Sequence, residues 1–554
     1  MTSSVSIVLL RGGCAALAMI AAASAPAAPP HAPAIDSALM ARVVQHLSDD
    51  ALEGRAPSTV AEPKVLNYLI AQFKAAGLQP GNKGSWLQTV PTVEIIGANH
   101  SSLSITGGAA PLSLAYGSDF VGASYRVTPH TEVKDADLVF VGYGINAPEL
   151  GWNDYAGVDM RGKVAVILVN DPDYAMETQD GLFKGRRMTY YGRWTYKFQE
   201  AARQGAIGAL IVHDTFPAAY GWNVVNSSWT KAQYYVQSAN DGADQTAFNG
   251  WVQKPKAEAI LAAAGKDLAA LTAAAQAKGF KAVPLGIKAS LSFDNKIRKS
   301  TSHNVIGVLP GKKAPGEYVL YSAHWDHLGR CTPDKRGDDI CNGAVDNATG
   351  VAALTAIAKA NVASGAARRT QVFLAVTLEE SGLLGSQWYA EHPVYPLKQT
   401  VGGVNMDALH PTGAVRDYAM TGGDKSELTG MFRKALVQQG LSETAEDSPE
   451  KGSYYRSDHF SMAKLGVPMF SIGRGIDMVN GGKVAGKAAR EDYILNRYHQ
   501  PSDEYSPNWD WSGIAQDTQL FYRLGRTLAD GAMWPNWNAG DEFRSVRDKS
   551  RAGM

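Results

Sequence analysis

"EYVLYSAHWDHLGR" (317–330) runs from an apolar segment directly into two histidines, an aspartate and a tryptophan. A strand predicted over 317–323 therefore ends in side chains that can ligate a metal, where turn residues are the usual finding. Alone, a His-x-Asp pair is more often a surface turn than a ligand pair. Its meaning depends on what the rest of the chain brings to the same place.

Downstream the pattern is regular. "NATGVAALTAIAKANVA" (347–363) reads as a helix, "TQVFLAVTL" (370–378) as a strand and "GLLGSQWYAEHP" (382–393) as a helix. "VGGVNMDAL" (401–409) is a strand, "KSELTGMFRKALVQQG" (425–440) a helix and "VPMFSI" (467–472) a strand. Continuously apolar strands alternating with helices predict an α/β fold whose mostly parallel sheet is covered on both faces. In such a sheet, ligands bind beyond the carboxyl ends of the strands.

The titratable residues fall at those ends. His324 and Asp326 follow the first strand, Glu379 and Glu380 the second, and Asp407 the third. Asp346 in "GAVDNATG" (343–350) precedes a helix, and His499 lies in "NRYHQPSDEY" (496–505). Each piece has a plain alternative: paired glutamates are usually a solvated face, and Asp-Asn before a helix is usually a cap. Five ligand-type residues each closing a strand or opening a helix of one sheet are not expected by chance.

Upstream, "LMARVVQHLSDDALEG" (39–54) and "PKVLNYLIAQFKAAGLQPG" (63–81) carry apolar residues at helical spacing and end in glycine. From about 135 short β-rich runs take over, such as "DADLVFVGYGI" (135–145) and "GKVAVILVND" (162–171). The expected organisation is a signal peptide over 1–27, a first part of the catalytic domain over 36–130 and an inserted β-rich unit over 131–285. The main catalytic part follows over 286–540, with a charged, frayed tail over 541–554.

Fifty-three basic and 53 acidic residues cancel, so no net field favours nucleic acid or an acidic membrane surface. Arg11, the short apolar run 14–23 and small residues at 23–27 read as a secretory leader, which predicts an exported, periplasmic or extracellular protein without a membrane span. Beyond that leader only Cys331 and Cys341 remain, close together in one polar loop, and an exported chain is expected to pair them.

"SAHWDHLG", "NGAVDNATGVAAL", "TLEESGLLGS", "NMDALH", "RSDHFSMAKLGVP" and "YHQPSDEY" occur in this order. Together they resemble the M28 family of zinc aminopeptidases over about 290–535, with "LEGRAP" (52–57) extending the likeness and 131–285 resembling an inserted protease-associated (PA) domain. The resemblance implies two Zn²⁺ per chain. His324, Asp346 and Asp407 would hold one, and Asp346, Glu380 and His499 the other, with Asp346 bridging. Asp326 would orient His324. Glu379 would be the general base, and Tyr498 or Tyr455 would assist the oxyanion. Val345 departs from the polar residue common in the family. Asp458 and His459 read as structural.

The implied function is removal of N-terminal amino acids from peptides. The same fold also hosts carboxypeptidases, glutaminyl cyclases and non-catalytic receptor-like proteins. The complete ligand set argues against the last two. A carboxypeptidase needs basic residues poised for a terminal carboxylate, for which Arg456 and Arg474 are the candidates and a surface position the plainer reading.

Overall fold

The computed structural model describes residues 1–2 and 33–553, so the leader expected over 1–27, apart from its first two residues, lies outside the described residues. The helices Ser37–Leu47 and Glu62–Ala76 form where sequence periodicity places them. Asp36 caps the first through the Leu39 amide, and left-handed Gly77 ends the second.

The central sheet follows from the apolar runs. Ala314–His324 lies between Arg369–Val376 and Thr400–Asn405, parallel to both, and Thr400–Asn405 continues parallel to Met469–Phe470. The fold is thus α/β, with a mostly parallel run of strands at this end of the sheet. Alternation divides each strand between two cores. Val319, Tyr321, Ala323, Phe373 and Ala375 face the helices Ser37–Leu47, Gly350–Ala363 and Trp511–Asp530. Leu320, Val372, Leu374 and Val376 face Tyr389 and Met462 on the opposite side. Gly350–Ala363 is apolar on nearly all sides because it is buried on nearly all sides.

A second unit joins this sheet in an unexpected way. One strand, Val283–Leu309, is 27 residues long. Its C-terminal part pairs with Arg369–Val376, and its N-terminal part pairs with His130–Phe140. From there a parallel run continues through Val164–Leu168, Gly208–His213 and Phe248–Gln253. The expected division at 285 therefore falls inside a continuous strand. The expected division at 130 is also displaced, because Leu103–Thr106 and Phe120–Ala123 already belong to the second unit's sheet. Within this strand the odd positions are buried from Leu285 to Asn295, residues 296–301 face outward, and burial resumes at Ser302 and Asn304, so the two cores meet one strand without a break in its pairing.

The charged end is the clearest difference. Residues 541–554 were expected to fray, yet Arg544–Arg551 is a helix with Phe543 and Arg547 buried. The Arg547 guanidinium donates to the Thr400 carbonyl at 2.9 Å, and Lys425 sits 2.9 Å from both Asp541 and Glu542. The charges of this segment serve contacts with the body of the molecule. Among the described residues, no helix is long and apolar enough to cross a membrane.

Candidate active site

His324 is the last residue of its strand and lies opposite Val376 of the neighbouring strand. The parallel register therefore brings Glu379 and Glu380, a few residues on, to the same level. Asp407 follows Thr400–Asn405, Asp346 sits before Gly350–Ala363, and His499 follows the helix Gly482–Asn496. All five ligand candidates converge.

Asp346 straddles the group. Its Oδ1 is 3.2 Å from His324 Nε2, and its Oδ2 is 3.4 Å from His499 Nε2. His324 Nε2 is also 3.3 Å from Asp407 Oδ1, and His499 Nε2 is 3.2 Å from Glu380 Oε2. One carboxylate thus faces two imidazoles, each with a further acid beside it.

The electrostatics are those of a charge cluster awaiting compensation. Burial opposes charge on His324, but Glu379, Asp407 and Asp346 outweigh it and hold the imidazole well above its usual range. Burial likewise opposes charge on His499, yet Asp346 and Glu380 raise it to about 10. Glu379 moves up, through burial first and then repulsion from Asp407 and Glu380. Against burial, contacts with His324 and His499 hold Asp346 well below the carboxylate range.

Several of these atoms have no hydrogen-bond partner: His499 Nε2, Glu380 Oε1 and both ring nitrogens of His327. Buried polar atoms without partners are costly. The ligand atoms of His324, Asp346 and Asp407 lie within 4.8 Å of one another, as do those of His327, Asp346 and Glu380. Mixed imidazole and carboxylate donors with unfilled valences fit divalent zinc.

His327 is the residue that the sequence reading passed over. It is fully buried, with Nδ1 2.6 Å from Glu380 Oε1 but outside hydrogen-bond geometry. The signal was present in the opening stretch, three residues after His324.

The supports are equally specific. The Asp326 carboxylate accepts the backbone N–H groups of Glu379 at 3.2 Å and Glu380 at 3.4 Å, while its Oδ1 lies 3.7 Å from His324 Nδ1. Asp326 therefore fixes the glutamate turn as well as facing the imidazole. Burial, opposed by His324, raises its pKa to about 7. Asp503 accepts from the amides of Val345 at 3.0 Å and Asp346 at 3.1 Å. Only the backbone of Val345 is used there, so its apolar side chain leaves that support intact. A relay from Ser322 to Asn405 to Ser457 ends on Asp407 Oδ2, at 2.7, 2.7 and 2.6 Å.

Of the two phenols, Tyr498 stacks on His499 with ring centroids 3.8 Å apart and lines the cavity above the site. The expectation for Tyr455 is corrected. Its ring is buried and its hydroxyl donates to Glu542 at 2.8 Å, so it braces the C-terminal segment. Arg474 is likewise occupied, donating to the His410 carbonyl at 2.8 Å and lying 3.4 Å from Asp517. Cys331 and Cys341 are disulfide-bonded, with Cα atoms 5.9 Å apart, in the loop between His324 and Asp346.

Residues 304–523 match Peptidase family M28. A stretch of 130 residues is 30% identical to Aminopeptidase NAALADL1 of Mus musculus, covering 22% of this chain and 16% of that protein. A stretch of the same length is 32% identical to a Glutamate carboxypeptidase 2 homolog of Caenorhabditis elegans, covering 22% and 15%. The matched stretch thus spans about a sixth of these curated relatives. Among solved structures, an aminopeptidase from Aneurinibacillus sp. strain AM-1 aligns over 90% of this chain and 95% of its own, at 20% identity and a TM-score of 0.48. BSAP, a zinc aminopeptidase from Bacillus subtilis, aligns over 93% and 100%, at 17% identity and a TM-score of 0.42.

Proposed function

We propose that this chain, whose residues 304–523 match Peptidase family M28, is a dinuclear zinc aminopeptidase that releases N-terminal residues from peptides. The observation that carries the reading is Asp346, with one oxygen toward His324, which Asp407 also approaches, and the other toward His499, which Glu380 also approaches. His324, Asp346 and Asp407 would hold one ion, and Asp346, Glu380 and His499 the other. Zinc there would act as a Lewis acid and make water a competent nucleophile near neutral pH.

This chain's own residues supply the rest. Glu379 is outside both ligand clusters, yet Asp326 holds its backbone beside them. It accepts a proton from the attacking water and returns it to the leaving amine. Tyr498 offers a phenol to the developing oxyanion. The clustered carboxylates favour a cationic α-amine over an anionic chain end. The disulfide supports a compartment that is oxidising, consistent with export.

The test is an assay of purified protein on one peptide series, with metal analysis alongside. N-acetylation should nearly abolish hydrolysis, and two zinc ions per chain should be present. Faster cleavage of N-blocked than of free peptides would overturn the aminopeptidase reading.

A further inference from the structure

The strand Gln233–Val236 lies at an edge of the sheet, paired on one side with Leu87–Ala98 and, among the described residues, with no strand on the other. Hydrogen-bond parity identifies the backbone groups this leaves over. The Ile306 amide donates to the Trp86 carbonyl at 2.7 Å, so the even-numbered residues of Leu87–Ala98 point their backbone groups toward Val283–Leu309. The odd-numbered ones face Gln233–Val236, and the 3.0 Å bond from the Gln237 amide to the Pro91 carbonyl agrees with this. Gln233 and Tyr235 therefore bond to Ile95 and Val93. The N–H and C=O of Tyr234 and Val236 point the other way and have no hydrogen-bond partner among the described residues.

This open edge borders the cavity of the reaction centre. Lys231, Gln233 and Tyr234 line the same space of about 1970 Å³ as Asp346, Glu379 and Asp407. The edge is also held in place relative to Glu379. Tyr234 and Val236 pack on Val90, Leu378 and Leu384, and Leu378 immediately precedes Glu379. The strand at the far end of the sheet, Phe120–Ala123, is by contrast buried throughout.

An uncovered edge is a template for another strand. Inside a cavity it cannot meet the sheet of a folded partner, so only an extended chain can use it. The space is about twice the upper range for a small ligand, which leaves room for several peptide residues. We propose that Gln233–Val236 receives an extended stretch of the substrate peptide as an added strand, bonded to the free backbone groups of Tyr234 and Val236. The ligand class is an unfolded peptide of several residues, recognised through its main chain with little regard to its side chains. The proposal rests on the peptidase reading of the site, and it adds that reach along the chain, besides the end that is cut, sets which substrates are favoured.

The test compares the amidated hexapeptide Leu-Ala-Ala-Ala-Ala-Ala with Leu-Ala amide. In kcat/KM the longer peptide should be favoured by about tenfold, mainly through KM, as expected for two backbone bonds. Methylating its amide nitrogens one at a time, beyond the first bond, needs no change to the protein. The advantage should be lost at positions that pair with the edge and kept at the alternate positions, whose N–H faces away. Tyr234→Pro removes the outward N–H at a place where an edge strand tolerates proline, and should bring the ratio toward one. Tyr234→Ala keeps that N–H and should keep the ratio. Hydrogen exchange gives a readout without turnover: in zinc-loaded protein saturated with the N-acetylated hexapeptide, the amides of Tyr234 and Val236 should exchange about tenfold more slowly or less. A ratio near one for the unaltered protein, methylation losses without alternation, or unchanged exchange at both amides would overturn the added strand. Cleavage of the N-acetylated peptide would instead reject the aminopeptidase reading, and protection of the two amides would leave the strand standing.

Discussion

Arg55 provides a severe test of how the first segment supports the active site. It is fully buried, and its guanidinium donates to four backbone carbonyls: Trp325 at 2.9 Å, Leu47 at 2.6 Å, Asn342 at 2.5 Å and Gly343 at 2.9 Å. Trp325 follows His324, and Gly343 lies three residues before Asp346. Replacement by leucine strands all four carbonyls. Bonds from a charged donor contribute roughly 1.5–3 kcal/mol each. Part of that sum is offset by the burial that lowers the arginine's pKa to about 10. The net loss for breaking such a buried charged contact is about 3–5 kcal/mol. At about 2 °C per kcal/mol for a large domain, melting should fall by at least about 6 °C. Because the ligand-bearing backbone shifts with it, kcat/KM should drop about 100-fold. Arg55→Lys should fall between, since an ammonium cannot reach every acceptor. Scanning calorimetry, zinc content and initial rates on one substrate decide the matter. A leucine variant that melts within about 2 °C of the parent and keeps its zinc would show that the carbonyl cage does not hold the site.

Glu379→Gln should retain two zinc ions while kcat falls about 10²–10⁴-fold; near-normal turnover would remove Glu379 from the mechanism. Asp346→Ala should lose both metal and activity, and a variant that still holds two ions contradicts bridging. His499→Ala should drop the metal content toward one ion per chain, whereas His327→Ala should keep two at about 10–100-fold weaker affinity; the opposite result moves the ligand assignment to His327. Serine at both Cys331 and Cys341 should cost about 3 kcal/mol, from the short loop they close, and an unchanged denaturation midpoint would show the loop to be constrained without it.

What the sequence made legible was whatever repeats at short range. Apolar runs with polar ends marked the sheet and put His324, Glu379, Glu380 and Asp407 just beyond its strands, whereas the expectation for Asp346 and His499 leaned on the likeness of their motifs to a known family. The supports were hidden because their partners are remote in the chain: Arg55 meets Asn342 across 287 residues, and Asp503 meets Asp346 across 157. Asp503 was visible as a letter in "YHQPSDEY", but nothing local says that its oxygens face two amides. Tyr455 was misread for the same reason, since its partner Glu542 belongs to a segment whose charge pattern reads as solvated. His327 was overlooked beside a stronger neighbour.

The strand Val283–Leu309 has a mechanical consequence. A single strand paired at one end with Arg369–Val376 and at the other with His130–Phe140 makes one sheet of the two units, a beam and not a hinge. Residues of both units that line the cavity are thereby tied through one sheet. The same continuity constrains how the chain can change over evolutionary time. Adding or deleting one residue within the beam would turn the side chains beyond it to the opposite face unless a bulge absorbed the change, as the shifts between Pro284 and Lys288 and between Ala289 and Leu291 already do. Variation in what the cavity accepts therefore falls most readily on the loops at the beam's sides.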